Sequence, residues 1–391
     1  MRKVLIFSLA YYPSFVSGAE AAIKEITDRI DATDIEFHLI TLLFDSSAPR
    51  EEMIGNTRVY RVGWGGAYLS KILFIPLAAL KARSLHRVHR FDAVWSMMTY
   101  MLLPAVLAQM LGVRAPRILT LQDGDPYEKV FHRWFIRPLL PLIDYGFQTT
   151  RIVQAISAYL ATWPGLRGYK GEVVLVHNGA NPKDLHQSVP DSEVEALKVT
   201  LGKKEGDVWL VNTARLVHQK GNDTTLRALA LLPAEYKFLI VGGGPDETML
   251  KGLANELDIA DRVIFTGPVE RADVTKYRLA SDIFVGPSRS EGLGNAFLSA
   301  MASRLPVVTT REGGLAEFAF DARHNPDQKP TAWVVSPDAP EEIRDAVLSI
   351  RTDTEAVRRV TDEARRMVLE KYDWDIIARE MRERVFAVAF A

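Results

Sequence analysis

Short apolar runs alternate with stretches of helical periodicity along almost the whole chain, and the series is broken once. Strands are expected at residues 3–8, 36–42, 58–62, 92–95, 117–121, 151–155 and 173–176, with helical stretches between most of them. A second series follows, with strands near residues 208–212, 237–241, 263–265, 283–285, 306–309 and 333–335. Strands separated by helices cannot be joined by tight hairpins. The crossovers make them parallel and cover both faces of the sheet. The break follows His177-Asn178-Gly179, a turn signal, and runs through Asn181, Pro182, Asp184 and Pro190. At 391 residues the chain exceeds one ordinary core. The pattern predicts an α/β protein of two doubly wound, Rossmann-like parallel-sheet domains, residues 1–182 and 183–372, followed by an amphipathic helix over 373–391. Ligands of such sheets bind beyond the carboxyl ends of the strands. A cleft with the two sheets facing each other is therefore the expected site.

Composition narrows the function classes. With no cysteine, disulfides and thiolate metal sites are excluded. The opening MRKVLIFSLAYYP reads as a buried first strand rather than a secretory signal, and a cysteine-free chain fits the cytosol. A cytoplasmic location is expected. Apolar runs such as residues 101–113 fall short of the roughly 20 residues that span a bilayer. The net charge of −1 hides an asymmetry: residues 1–182 carry 20 Lys+Arg against 15 Asp+Glu, and residues 183–391 carry 28 against 34. Halves of opposite sign suggest different partners. No long basic stripe with interleaved aromatics is present, which argues against nucleic acid.

Four segments could carry chemistry. In PSRSEGLGNAFLSAMASRLPVV (287–308), a glycine-containing loop leads from a strand into an apolar helix. Glycines let backbone N–H groups approach a ligand, and a helix N-terminus favours an anion. Glu291 stands in that loop, either accepting bonds from sugar hydroxyls or serving as an acidic helix starter. In NTARLVHQKGNDTTLRAL (212–229), Arg215 and Lys220 flank a strand-to-helix loop opened by Gly221. Two cations there suit a diphosphate, and they also suit a solvated surface. In FLIVGGGPDETML (238–250), Gly243 belongs to a triple glycine that is either a tight turn or a phosphate approach. In YYPSFVSGAEAAIKEI (11–26), Gly18 opens a helix directly after the first strand.

Together these segments resemble family 4 of the GT-B glycosyltransferases (glycosyl transferases group 1) over nearly the whole chain. The matching stretches run in order: YYP…SGAE, HNG at 177–179, RLVHQKG at 215–221, VGGGP at 241–245, VIFTGPV at 263–269, PSRSEGLG at 287–294 and LPVVTTREGG at 305–314. The resemblance implies a GT-B fold and a retaining transferase that moves a hexose-type sugar from a UDP- or GDP-linked donor, without a metal or other cofactor. It implies that Arg215 and Lys220 hold the donor diphosphate and that Glu291 touches donor-sugar hydroxyls. Gly18, Gly243, Gly294, Asn295 and Ala296 would lie near sugar and phosphate, and Gly267 to Val269 near the nucleobase. It also implies that the last helix returns to the first domain. A same-face displacement needs its leaving diphosphate stabilised, so preorganised cations and N–H dipoles would do most of the work.

The chain departs from the family pattern in three places. Where a second glutamate usually binds the ribose, this chain has Ser299. Where many members have a histidine, LTLQDGDP places Gln122, which cannot act as a general base. The usual Gly-Gly of the first loop reads Ser17-Gly18. Gln122 and Asp123 are assigned to the acceptor side. Asp123-Gly124-Asp125 has the spacing of a divalent-cation motif, a competing reading. A nucleotide-sugar epimerase and a nucleotide-sugar-binding protein without transfer activity are the alternatives on this fold. Two segments, 68–91 and 129–142, mix cations with large apolar groups and suit either an anionic membrane or an ordinary core-facing helix. They lead to the expectation of a glycan or lipid-linked acceptor and of peripheral binding to the inner face of a membrane.

Overall fold

The computed structural model describes residues 1–13, 16–186 and 188–391. It divides into two compact units, one of residues 1–178 with 374–391 and one of residues 179–373.

The first unit holds β1 (Arg2–Phe7), β2 (Ile35–Leu42), β3 (Glu51–Ile54), β4 (Thr57–Val62), β5 (Ala93–Met97), β6 (Arg117–Leu121), β7 (Ile152–Ala155) and β8 (Val173–Leu175), in the order β3-β4-β2-β1-β5-β6-β7-β8. All neighbours are parallel except β3, which pairs antiparallel with β4 at the edge. Sequence pattern missed β3: its four residues carry two glutamates, and its turn rests on Gly55 at φ +55°. The central strands are apolar because both faces are covered; Val4, Leu5, Ile6 and Phe7 are fully buried. One face packs against the C-terminal segment, where Trp374, Ile377, Val385 and Phe386 join Ile6, Trp95 and Ile118. That segment is a helix (Trp374–Glu380), a π-helical turn (Met381–Phe386) and a last short helix (Ala387–Phe390). Arg29 Nε donates to Asp375 at 2.7 Å and fastens it. The other face packs against the helix Tyr68–His89 through Phe74, Ala78 and Ala82.

The second unit holds β9 (Val208–Thr213), β10 (Tyr236–Val241), β11 (Val263–Gly267), β12 (Ile283–Gly286), β13 (Val307–Thr309) and β14 (Trp333–Val334), in the order β11-β10-β9-β12-β13-β14. Every pair is parallel. The chain steps outward from β9 through β10 to β11, then crosses back to continue through β12 on the other side. The strand order thus reverses between β9 and β12. In the first unit it reverses between β1 and β5. Ligands of open α/β sheets bind outside the carboxyl ends of the strands beside such a reversal.

The polar run after Gly179 is structured. It contains the helix Pro182–His186, and Asp184 is buried with its carboxylate 2.6 Å from the Arg278 guanidinium. The unit boundary falls before this run, at 178/179 rather than 182/183.

Candidate active site

In the second unit, the two loops at the strand-order reversal meet. The first leaves β9 at Thr213 and passes through a 3-10 turn, His218–Lys220, into the helix Asn222–Ala230. The second leaves β12 at Gly286 and enters the helix Asn295–Ala302. Lys220 Nζ lies 2.5 Å from Glu291 Oε1, joining the two loops by an ion pair. Ser288 Oγ donates to the same carboxylate oxygen at 3.0 Å. Glu291 is buried and Lys220 half-buried. Arg289 N–H donates to the Gln219 carbonyl at 2.7 Å, so backbone also bridges the loops.

Close backbone approach explains the glycines. Gly221 has φ +66°, and a Cβ there would stand 2.2 Å from the Pro287 carbonyl oxygen. Gly313 has φ +63°, and its Cβ would stand 2.1 Å from the Glu291 carbonyl oxygen. No side chain fits either place without moving the loop that carries Glu291.

The other residues of the second unit expected on the donor side fall on the same edge of the sheet. Arg215 is exposed in the β9 loop. Gly243 lies after β10, where its carbonyl accepts the Leu216 N–H at 3.0 Å. It is a turn residue tying the β9 and β10 loops together. Gly267 ends β11 at φ +69°, with open space where a Cβ would be, and Val269 follows half-buried. Gly294 precedes the helix at φ +102°, and Asn295 and Ala296 form its first turn. Their N–H groups have no carbonyl one turn back and stay available to an anion. Ser299 is buried on that helix and accepts the Asn181 N–H at 3.1 Å. That bond uses one of its two lone pairs and leaves the other, with the O–H, for a further partner.

Sequence reading missed the residue that braces the glutamate loop. Arg289 grips Asp223 with two bonds of 2.9 and 2.7 Å, and its Nε donates to Asp338 at 2.8 Å. These bonds raise the guanidinium pKa above its ordinary value and hold the Asp223 and Asp338 carboxyls below theirs. The partners are far apart in the chain, so no local spacing signals them.

In the first unit, Gly18 opens the helix Gly18–Thr27, and Glu20 accepts the Ser17 N–H at 2.7 Å. Residues 14 and 15 of the preceding loop lie outside the described residues. Gln122 and Asp123 follow β6. Gln122 Oε1 accepts the Asn178 side-chain amide at 2.7 Å. Asp123 accepts the Thr99 N–H at 3.3 Å and the Thr99 hydroxyl at 3.0 Å. Burial pushes the Asp123 carboxyl up to about 6, against the opposing pull of the Thr99 bonds. Next to Thr99, Met98 adopts φ +72°, a strained place for a side-chain-bearing residue.

The Asp123-Gly124-Asp125 spacing does not bring two carboxylates onto one ion. Asp123 is turned onto Thr99, while Asp125 pairs with Lys129 at 3.0 Å and Arg133 at 2.8 Å. Among the described residues, metal-ligand spacing occurs at Glu36, His38 and His89 instead.

Comparison with known proteins fits this architecture. The family described as Glycosyl transferases group 1 matches residues 193–367, and Glycosyltransferase Family 4 matches residues 16–184. A GDP-mannose-dependent alpha-(1-6)-phosphatidylinositol monomannoside mannosyltransferase of Mycobacterium tuberculosis is 31% identical over 325 residues, 79% of each chain. The alpha-monoglucosyldiacylglycerol synthase of Acholeplasma laidlawii is 24% identical over 82% of this chain and 83% of its own. The solved structure of Anabaena HepE in complex with UDP-glucose superposes with a TM-score of 0.80 at 19% identity, covering 99% of this chain and 100% of that one. Sucrose-phosphate synthase of Thermosynechococcus elongatus gives 0.83 at 18% identity, over 99% and 100%. At such identities the structural likeness speaks for fold alone, and the mannosyltransferase carries the kinship. The chain belongs to the GT-B-fold glycosyltransferases and is related to those of group 1 and family 4.

Proposed function

We propose that this glycosyltransferase moves a hexose, with retention and without a metal ion, from a UDP- or GDP-linked donor to a lipid-linked or glycan acceptor. The observation that carries the reading is the Lys220–Glu291 pair at the strand-order reversal of the second unit. The pair is a preformed exchange. When a donor binds, the ammonium passes from carboxylate to diphosphate, and the freed carboxylate accepts sugar hydroxyls. Arg215 adds a second cation, and the first-turn N–H groups of Asn295 and Ala296 add dipoles. All act on charge that grows on the leaving diphosphate, where fixed donors lower the barrier most. Ser299 then offers ribose one O–H donor in place of a carboxylate. In this reading a metal ion has no required part, since the cations and N–H groups supply the positive charge the diphosphate needs.

Two relatives bear names that point to lipids, a phosphatidylinositol mannoside and a diacylglycerol. The first unit carries a surface suited to such acceptors. Trp64, Tyr68, Leu69, Ile72 and Trp134 are exposed, Trp134 to 82%. The Tyr68 ring meets Phe135 edge-on at 5.9 Å, joining the two cationic-apolar segments. Lys71, Arg83, Arg87 and Arg137 are exposed on the same segments. Aromatic rings and cations together favour the interface of an anionic membrane. This supports peripheral attachment at the cytoplasmic face. None of the described helices is long and apolar enough to cross a membrane.

The test is a transfer assay with GDP-mannose and UDP-glucose, lipid acceptors in anionic vesicles, and excess chelator throughout. NMR of the product should show the donor's anomeric configuration kept. An inverted product, or activity that chelator abolishes and manganese restores, contradicts the proposal.

A further inference from the structure

Glu36, His38 and His89 cluster in the first unit. Glu36 and His38 lie two residues apart on β2, so both side chains project from one face of the sheet. His89 is the last residue of the helix Tyr68–His89, which covers that face. One ligand atom from each lies within 4.8 Å of the other two. His38 Nε2 is 2.8 Å from Glu36 Oε1, and the His38 and His89 rings are 4.4 Å apart between centroids. His38 is fully buried, while Glu36 and His89 are half-exposed, which leaves a path from solvent. The cluster sits toward the amino-terminal ends of the strands, away from the carboxyl edge where Gln122 and Asp123 follow β6.

We propose that Glu36, His38 and His89 form a binding site for a divalent ion of zinc type. Two imidazoles and one carboxylate are a donor set that suits zinc, with water as the fourth ligand. Bonds of about 2.0–2.2 Å in tetrahedral geometry set neighbouring ligand atoms about 3.4 Å apart. The contact of 2.8 Å between His38 and Glu36 must open slightly, and the 4.8 Å limit on the others allows small rotations to close them.

The hydrogen bond on the far side of His38 supports this use. His38 Nδ1 is 3.1 Å from the Tyr60 hydroxyl, which can donate or accept. When Tyr60 donates, the proton sits on Nε2 and bridges to Glu36. When Tyr60 accepts, the proton sits on Nδ1, and Nε2 and Oε1 face each other with lone pairs. That second state needs a cation between them. Metal entry therefore selects the Nδ1–H tautomer: Nε2 gives up its proton to solvent, Nδ1 takes one from solvent, and the Tyr60 hydroxyl turns from donor to acceptor, with His38 neutral throughout. A ligating histidine that donates its other nitrogen to a fixed partner is the usual support of such sites. Lys3 lies 3.3 Å from Glu36 Oε2, the opposite carboxylate oxygen, and leaves Oε1 to the ion. His86 is not a ligand, because its Nδ1 accepts the Phe91 N–H at 3.1 Å.

The experiment uses the whole chain, stripped with chelator and dialysed against Zn²⁺. Wild type should take up about one equivalent, and Glu36→Gln and His89→Ala should each weaken binding by about 10-fold or more. Both half-exposed positions are outside the transferase machinery, and circular dichroism checks that the variants stay folded. Co²⁺ added to wild type should give the intense visible bands of a tetrahedral site, a readout that needs no variant. No stoichiometric uptake, a variant that binds like wild type, or the weak bands of octahedral Co²⁺ overturns the proposal.

Discussion

Lys220 and Arg215 differ in setting, and the proposed mechanism makes the difference measurable. Lys220 is half-buried and already aimed by Glu291, whereas Arg215 is exposed. Lys220→Ala should lower kcat/KM by about 10²–10³, the scale of one lost electrostatic donor. Arg215→Ala should fall in the same range or below it, since its guanidinium must be ordered by the donor. Steady-state kinetics with the best donor measures both. Asp123 gives a pH prediction. Burial lifts its carboxyl from 3.8 to about 6, so between those values the folded chain keeps a proton that the unfolded chain releases. Its contribution to stability is full below pH 3.8 and is lost as the pH rises through 6. A tenfold change in acidity is worth about 1.4 kcal/mol, which makes the loss about 3 kcal/mol. Asp123→Asn keeps the bond from Thr99 and removes the charge. Urea unfolding should find it equal to wild type at pH 4 and more stable at pH 7.5. Parallel curves would refute this account of Asp123.

At the scale of elements, the glycine loops and the buried Asp184–Arg278 pair hold the edge of the second sheet in shape. Asp184→Ala leaves the Arg278 guanidinium buried against Thr213 with its countercharge gone, and should cost about 3–5 kcal/mol in urea unfolding. Replacing Arg278 with Met as well should recover part of that loss. Sequence pattern reached most of the strands because apolar runs between helical stretches report burial directly. It missed β3, where an edge strand needs no apolar face and Glu51 and Glu52 gave no alternation. It gave no sign that Asp184 is buried, because a polar residue in a break shows no burial until a partner such as Arg278 is known. The Lys220–Glu291 contact lay within reach, since both loops follow strands and carry glycine. The Arg289 brace did not, because only the folded sheet brings Asp223 and Asp338 to it.

At the scale of the molecule, the C-terminal segment completes the first unit although the second unit precedes it in the chain. Trp374 is fully buried in that core. Trp374→Ala should destabilise the first unit by about 3–5 kcal/mol, the usual range for a large aromatic replaced by alanine. Calorimetry should show this in the transition of the first unit. If a nucleotide binds the second unit as proposed, it should raise the other transition. In the proposed mechanism the second unit grips the diphosphate through the β9 and β12 loops. Isothermal calorimetry tests it most directly, with the better-bound of UDP and GDP, its parent nucleoside, and the wild-type and Lys220→Ala chains. The account predicts that the substitution weakens the diphosphate by about 10-fold or more, as one charged hydrogen bond worth about 1.5–3 kcal/mol requires, and leaves the nucleoside unchanged. Equal losses for both ligands, or no loss for either, would contradict it.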